Sequence, residues 1–137
     1  MALTHLIDTS VISRLDEPTV RAAVDPLAHA HSIARAGITD LEVGYGSRNA
    51  REWDQDMADL AVFALVETTA DHVRRARQVQ RLLATKSQRG RKVPDLLIAA
   101  AAESAGLTVL HYDNDFDIIA KATGQPCQWV VRPGSID

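Results

Sequence analysis

Hydrophobic residues fall into short runs that alternate with longer segments of helical periodicity. The short runs predict five strands, at 3–7, 32–38, 62–66, 107–112 and 128–131. The segments between them predict helices at 11–15, 19–30 with a break near Pro26, 41–48, 52–61, 68–84, 94–105 and 118–122. Strands that alternate with helices favour an α/β fold, a three-layer α/β/α sandwich with a mainly parallel central sheet.

The helix that opens with Pro94 is apolar almost all round, which is typical of a helix buried between layers. It nevertheless carries Asp95 in its opening turn, where the positive end of the helix dipole favours an anion. Taken alone, Asp95 is explained as a helix cap. The positions of the other acids give it a second interpretation.

Four acids fall where parallel sheets bind ligands, at the carboxyl ends of strands. Asp8 follows the first predicted strand and Asp113 the fourth, whereas Glu42 and Asp95 lie in the predicted first turns of helices. All four can therefore point into one crevice. The alternative for Glu42 is structural, because Thr39 and Glu42 have the spacing of a capping box.

Oxygen ligands from Asp and Glu suit a hard cation, Mg²⁺ or Mn²⁺. No spacing of His or Cys in the sequence competes with this interpretation. Without a cation, clustered carboxylates repel one another, so the arrangement is a poor choice for stability. It is a sensible one for metal-assisted phosphoryl chemistry.

The length of 137 residues predicts one domain, 1–137. The composition, with 46% hydrophobic and 24% charged residues, is typical of a globular protein. No apolar run approaches the roughly 20 residues that span a bilayer, so no membrane association is expected. The first residues lack the features of a signal peptide. The single cysteine, Cys127, has no partner for an internal disulfide, which fits a cytoplasmic location.

The net charge is −3, yet residues 71–92 contain eight basic side chains against Asp71 alone. Such a segment is either the footprint of a polyanion or a solvated helix face. The candidates for contact with phosphate are Arg74, Arg77, Arg81, Arg89, Arg91 and Lys92.

Four motifs in this order and spacing resemble a known family. They are Leu-Ile-Asp-Thr-Ser at 6–10, Thr-Asp-Leu-Glu-Val at 39–43, Pro-Asp-Leu-Leu-Ile-Ala-Ala at 94–100 and Leu-His-Tyr-Asp-Asn-Asp-Phe-Asp at 110–117. With them the chain resembles, over nearly its whole length, PIN-domain proteins of the VapC family, the toxins of type II toxin–antitoxin systems.

The resemblance implies a toxic endoribonuclease that requires Mg²⁺, with Mn²⁺ as a substitute, and cleaves RNA through a metal-activated water. Its catalytic and metal-binding acids correspond to Asp8, Glu42, Asp95 and Asp113. The last motif also offers Asp115, as an alternative ligand or a support for the ligands, and Asp117, which we interpret as a helix cap.

Thr9 has two interpretations: the small hydroxyl residue that the family uses to support the metal site, or, with Ser10, a plain N-cap. The resemblance further implies an RNA substrate, a VapB-type antitoxin that blocks the acidic crevice, and a homodimer.

Two other functions are considered. A Mg²⁺-dependent phosphatase or phospho-acceptor domain also places acids at strand ends, but Ser10 stands where a haloacid-dehalogenase-like phosphatase needs a second Asp. A PIN-like module that binds RNA or protein without cutting is the non-enzymatic alternative. The intact set of four acids argues against it.

Overall fold

The computed structural model describes residues 2–88 and 92–137. The strands and helices that these residues form follow one another in a regular order. In chain order they are β1 (His5–Ile7), α1 (Thr9–Ile12), α2 (Pro18–His29), β2 (Ile33–Ala36), α3 (Gly37–Tyr45), α4 (Ala50–Leu60), β3 (Ala64–Val66), α5 (Ala70–Thr85), α6 (Val93–Ala105), β4 (Thr108–His111), α7 (Asp115–Thr123) and β5 (Cys127–Trp129).

The five strands form one sheet in the order β3-β2-β1-β4-β5. Each neighbouring pair is parallel, and Leu6 at the centre of β1 lies beside Ala34 of β2 and Val109 of β4. The prediction of an α/β/α sandwich with a mainly parallel sheet is confirmed. Because all strands run the same way, their carboxyl ends meet at one edge of the sheet.

Successive residues of β1 point to opposite faces of the sheet, as the strand repeat requires. Leu6 belongs to a hydrophobic core that includes residues of α5, α6 and α7. Ile7 belongs to a second core that includes residues of α1, α2 and α4. Both side chains are 0% exposed, so the sheet is covered on both faces.

Helix α6 is buried as its composition predicts. Ile98, Ala101 and Ala102 are at most 1% exposed, and the helix ends at Gly106, whose φ of 70° is the left-handed conformation typical of a C-cap. The acid in the first turn of this helix is therefore carried by one of the most tightly packed elements of the fold.

Helix α3 begins earlier than predicted, at Gly37, and the second strand is shorter than the predicted 32–38. The extended backbone of Ala36 forms the N-cap without a side-chain bond. Thr39 is consequently a buried residue inside the helix and Glu42 lies beyond its first turn. Both the capping box and the first-turn placement of Glu42 were wrong.

The predicted break near Pro26 is also wrong, because α2 is continuous from Pro18 to His29. A proline removes one helical hydrogen bond, but burial of Val20 and Val24 in the core holds the helix against the sheet. The carbonyl of Pro26 still accepts from the amide of Ala30 at 3.1 Å. Among the described residues, no helix is both long and apolar enough to cross a membrane.

Candidate metal centre and active site

Asp8 lies where β1 passes into α1. Its amide donates to the carbonyl of Leu110 at 2.9 Å, and its Oδ2 accepts from the amide of Ser10 at 3.0 Å. Asp8 is therefore itself the N-cap of α1, and the prediction that Thr9 or Ser10 caps this helix was wrong. The side chain is 3% exposed, so a carboxyl group is buried at the end of the central strand.

Because Asp8 caps α1, the Thr9 side chain is not the cap and instead contacts α3. Its hydroxyl donates to Oε1 of Glu42 at 2.7 Å. This bond joins α1 to α3 and brings the half-buried Glu42 carboxyl group to the carboxyl edge of the sheet.

Asp95 lies in the first turn of α6, as predicted, and is 5% exposed. Within the described part of the chain, no hydrogen-bond partner reaches its Oδ2, although this oxygen is fully buried. Burial, and then the charges of Asp8 and Asp113, raise the pKa of Asp95 to about 7. A buried oxygen of this kind normally requires a partner.

Asp113 and Asp115 follow β4 and complete an acidic cluster. The amide of Asp115 donates to Oδ1 of Asp113 at 2.9 Å, and the amide of Asp113 donates to Nδ1 of His111 at 3.2 Å. One oxygen from each of Asp95, Asp113 and Asp115 lies within 4.8 Å of the others. Three carboxylates at this separation could hold a metal ion.

Asp117 is not one of these three acids, and its Oδ1 accepts a hydrogen bond from the indole Nε1 of Trp129 at 3.0 Å. Helix α7 begins at Asp115, after the N-cap Asn114, whose side chain makes no capping bond among the described residues. The interpretation of Asp117 as a helix cap was wrong, because the predicted helix began three residues too late.

Asp8 and Glu42, like Asp95, have pKa values that burial raises. Burial raises the pKa of Asp8, against the hydrogen bonds from Ser10 that lower it, and Asp113 raises it further. Burial likewise raises the pKa of Glu42, against the lowering effect of the Thr9 hydroxyl. Lys92 brings a positive charge to these acids, since its Nζ lies 3.7 Å from Oδ2 of Asp113.

These side chains line one cleft of about 500 Å³. It brings together Asp8, Glu42, Asp95 and Asp113, and its remaining lining residues are Thr9, Ser10, Ser13, Arg14, Lys92, Tyr112 and Asn114. The sequence reasoning missed the contributions of Ser10, Arg14 and Tyr112. Ser10 could have been found from its place two residues after Asp8, since its hydroxyl accepts from the amide of Tyr112 at 2.9 Å.

The predicted phosphate-binding residues that the structure describes lie in two different places. Arg74, Arg77 and Arg81 are exposed on α5, and none of them lines the cleft. Arg74 forms an ion pair with Asp71. Arg89 and Arg91 lie outside the described residues, and Lys92 lines the cleft.

The donor set fits a hard divalent cation. It consists of carboxylate oxygens, the ligands that such ions prefer, and it includes the buried Oδ2 of Asp95 that has no partner among the described residues. A cation would satisfy that oxygen and offset the repulsion between the acids.

Comparison with known sequences gives close relatives. The sequence profile of the PIN domain matches residues 5–122. Ribonuclease VapC51 of Mycobacterium tuberculosis is 64% identical over 137 residues, which are 100% of both chains. Ribonuclease VapC21 of the same species is 42% identical over 138 residues, covering 98% of this chain and 99% of the relative.

Solved structures share the fold. A DNA-bound VapBC from Salmonella typhimurium matches with a TM-score of 0.76 and 18% identity, over 94% of this chain and 99% of the other. VapBC-5 from Mycobacterium tuberculosis, a member of the VapBC family of toxin–antitoxin systems, matches with a TM-score of 0.63 and 25% identity, over 93% and 98% of the two chains.

Proposed function

Because the chain belongs to the VapC family of PIN-domain proteins, we propose that it is a Mg²⁺-dependent endoribonuclease and the toxin of a type II toxin–antitoxin pair. The observation that carries the proposal is the buried Oδ2 of Asp95, which lacks a partner among the described residues and belongs to a group of three acids. The names of relatives at 64% and 42% identity, both ribonucleases, support the substrate class.

Asp95, Asp113 and Asp115 would hold the ion, with Asp8 beside them. Asp8 and Asp113 both raise the pKa of Asp95 through their charge, so these carboxyl groups share one electrostatic environment. A bound Mg²⁺ supplies positive charge to the attacked phosphate and makes a water molecule more acidic. The rigid α6 and the β1–α1 junction supply fixed positions for the ligands.

Glu42 is suited to accept a proton. The Thr9 hydroxyl engages Oε1 and fixes the orientation of the carboxyl group, which leaves Oε2 as the proton-accepting atom. Burial raises the pKa of Glu42, and a carboxylate of raised pKa is the stronger base. Glu42 would thus orient or deprotonate water, while the acids of the cluster hold the cation.

We further propose a VapB-type antitoxin as partner, since the matching solved structures are named VapBC complexes. An acidic cleft is a natural receiver for an Arg or Lys side chain of such a partner. The homodimer and the cytoplasmic location belong to the same proposal, as does the organisation of 1–137 as one domain.

The test is cleavage of total RNA by the purified, antitoxin-free chain in Mg²⁺, in Mn²⁺ and in EDTA. We expect cleavage with either ion, none in EDTA, and none by Asp95→Asn in Mg²⁺. A matched control is Asp54→Asn, because Asp54 is an exposed acid of α4 outside the cleft and should be dispensable. Full activity in excess EDTA contradicts the metal requirement, and absence of cleavage with both ions favours a non-cutting module.

A further inference from the structure

The acidic cleft contains an arginine that the proposed chemistry has not used. Of the described residues that line the cleft, Arg14 and Lys92 are the two cations. Lys92 lies 3.7 Å from Asp113, so its charge is directed to an acid of the site. Arg14 is the cation that remains for a ligand of opposite charge.

Arg14 is fixed from two sides by the elements that carry the site. Its Nη1 donates to the carbonyl of Ser10 at 2.8 Å, and its guanidinium carbon stands 4.9 Å from the ring centroid of Tyr112. Neither contact uses the edge of the guanidinium that carries Nε and Nη2. The side chain is therefore held in place independently of whatever occupies that edge.

The other edge faces the carboxylate of Asp137. Nε of Arg14 lies 3.2 Å from both Oδ1 and Oδ2, and Nη2 lies 3.1 Å from Oδ2. The planar fork that pairs with a carboxylate in this way matches a phosphate equally well. Asp137 thus occupies the edge of the guanidinium that carries Nε and Nη2.

The segment that carries Asp137 is hydrogen-bonded to Tyr112, a residue that lines the cleft. The hydroxyl of Tyr112 donates to the carbonyl of Ile136 at 2.7 Å and accepts from the amide of Gly134 at 3.0 Å. The side chain of Asp137 is nevertheless 55% exposed, against 27% for Arg14. An exposed ion pair is weak in water, so a polyanion can displace the carboxylate.

We propose that Arg14 binds a phosphate of the RNA backbone beside the acidic cleft, and that Asp137 occupies its guanidinium until RNA displaces it. The inference rests on the proposed ribonuclease function and adds the side chain that positions the substrate. A phosphate contact sets the register of the strand and carries no sequence information.

Binding of a labelled single-stranded RNA of mixed sequence, measured in EDTA over a series of salt concentrations, tests the proposal on the full chain. Arg14→Gln should weaken binding about tenfold, through the loss of a charge-assisted bond. It should also reduce the slope of log affinity against log salt by roughly 0.7, the value for one contact to a single strand. Arg14→Lys keeps the charge without the fork and should restore the slope but only part of the affinity.

Asp137→Asn should strengthen binding about threefold, a gain of the size that an exposed ion pair allows. In the Arg14→Gln background the same change should give no gain, because the side chain it releases is absent. The matched control is Glu52→Gln, which releases Arg48 from an exposed pair outside the cleft and should leave binding unchanged. Thermal melts confirm that each variant is folded.

If wild type binds and cuts RNA but Arg14→Gln keeps the full slope and affinity, this inference is wrong and the proposed function stands. An equal gain from Asp137→Asn with and without Arg14 also overturns it. Absence of RNA binding by folded wild type in EDTA overturns this inference, whereas the proposed function is judged separately by cleavage in Mg²⁺.

Discussion

The hydroxyl of Thr9 donates a 2.7 Å hydrogen bond to Oε1 of Glu42, which joins the first turn of α1 to the middle of α3. The two residues are 33 positions apart in sequence. The bond lowers the pKa of Glu42, whereas burial raises it. Thr9 therefore influences both where the Glu42 carboxyl group lies and how readily it ionises.

Replacing Thr9 by Val, which has a similar shape but no donor, should slow RNA cleavage about tenfold. A hydrogen bond to a charged group contributes roughly 1.5–3 kcal/mol, and 1.4 kcal/mol corresponds to a tenfold change in rate. Single-turnover cleavage in Mg²⁺ measures this effect. Thr9→Ser keeps the hydroxyl and should retain most of the rate; equal rates for Val and Ser would assign Thr9 a packing role only.

The position of an acid in the fold could be predicted where the adjacent residues indicate a strand end or a helix start. Asp8 follows a short, mainly apolar run that predicts a strand, and Asp95 follows a proline that suits the first turn of a helix. Glu42 lines the cleft with the other acids, but its predicted place in the first turn of a helix was wrong. Its helix begins at Gly37, and no local signal marked the end of the weakly hydrophobic strand β2.

Contacts between side chains that lie far apart in the sequence could not be predicted. Asp117 accepts from Trp129, a residue of β5, so its role depends on how the last strand packs. Arg14 contacts Asp137, which is 123 positions away. No periodicity or spacing encodes such pairs, and only the folded chain brings them together.

The arginine stripe of α5 is a separate prediction. Arg74, Arg77 and Arg81 are exposed and outside the cleft, so their contribution to RNA binding would come from charge rather than from the site. Replacing all three by Ala should reduce the salt slope of RNA binding by up to about 2 for single strands. Binding curves at several salt concentrations measure the slope. A slope equal to that of wild type would mark the stripe as solvated surface.

His111 should position Asp113 for metal binding. It is 0% exposed, its Nδ1 accepts the amide of Asp113, and burial lowers the pKa of its imidazole to about 4, so the ring is neutral at pH 7. His111→Leu removes the acceptor, whereas His111→Asn keeps an acceptor near the same place. Both should lower the melting temperature, since both lose ring contacts with Phe116 and Trp129.

Only the Leu variant should also lose affinity for Mg²⁺, by about tenfold, because only it leaves the Asp113 amide unpaired. The affinity is read from the rise of the melting temperature with Mg²⁺ concentration. Equal Mg²⁺ affinities for the two variants would restrict His111 to packing.

The last prediction concerns the stability of the metal-free protein, in which Asp95 is crowded by other acids. Its pKa is raised from 3.8 to about 7, by burial first and by Asp8 and Asp113 next. Between these values the folded state holds the proton more tightly than the unfolded state. The stability contributed by protonated Asp95 is therefore complete below about pH 4 and is lost as the pH rises through 7.

Asp95→Asn keeps the shape of the side chain but removes this pH dependence. In EDTA at pH 8 the variant should melt about 5 °C above wild type, a shift that corresponds to roughly 1–2 kcal/mol in a domain of this size. The difference should shrink towards zero near pH 4. His111 has the opposite effect, because its lowered pKa makes the fold lose stability as the pH falls from 6.5 towards 4, but this contribution is the same in both proteins and cancels in the difference.

Saturating Mg²⁺ at pH 8 should reverse the order of the two proteins, since the ion binds the folded wild type and offsets the repulsion that the variant lacks. The N-cap of α6 is Lys92, with no side-chain capping bond among the described residues, so the interpretation of Asp95 as a cap was wrong and its competing role is attraction of its charge to the helix dipole. In that role Asn would lose the attraction, and the variant would melt at or below the wild-type temperature at every pH. Melts in EDTA at pH 4 and pH 8 decide between the two roles. A variant that never melts above wild type would mean that the folded state does not raise the pKa of Asp95.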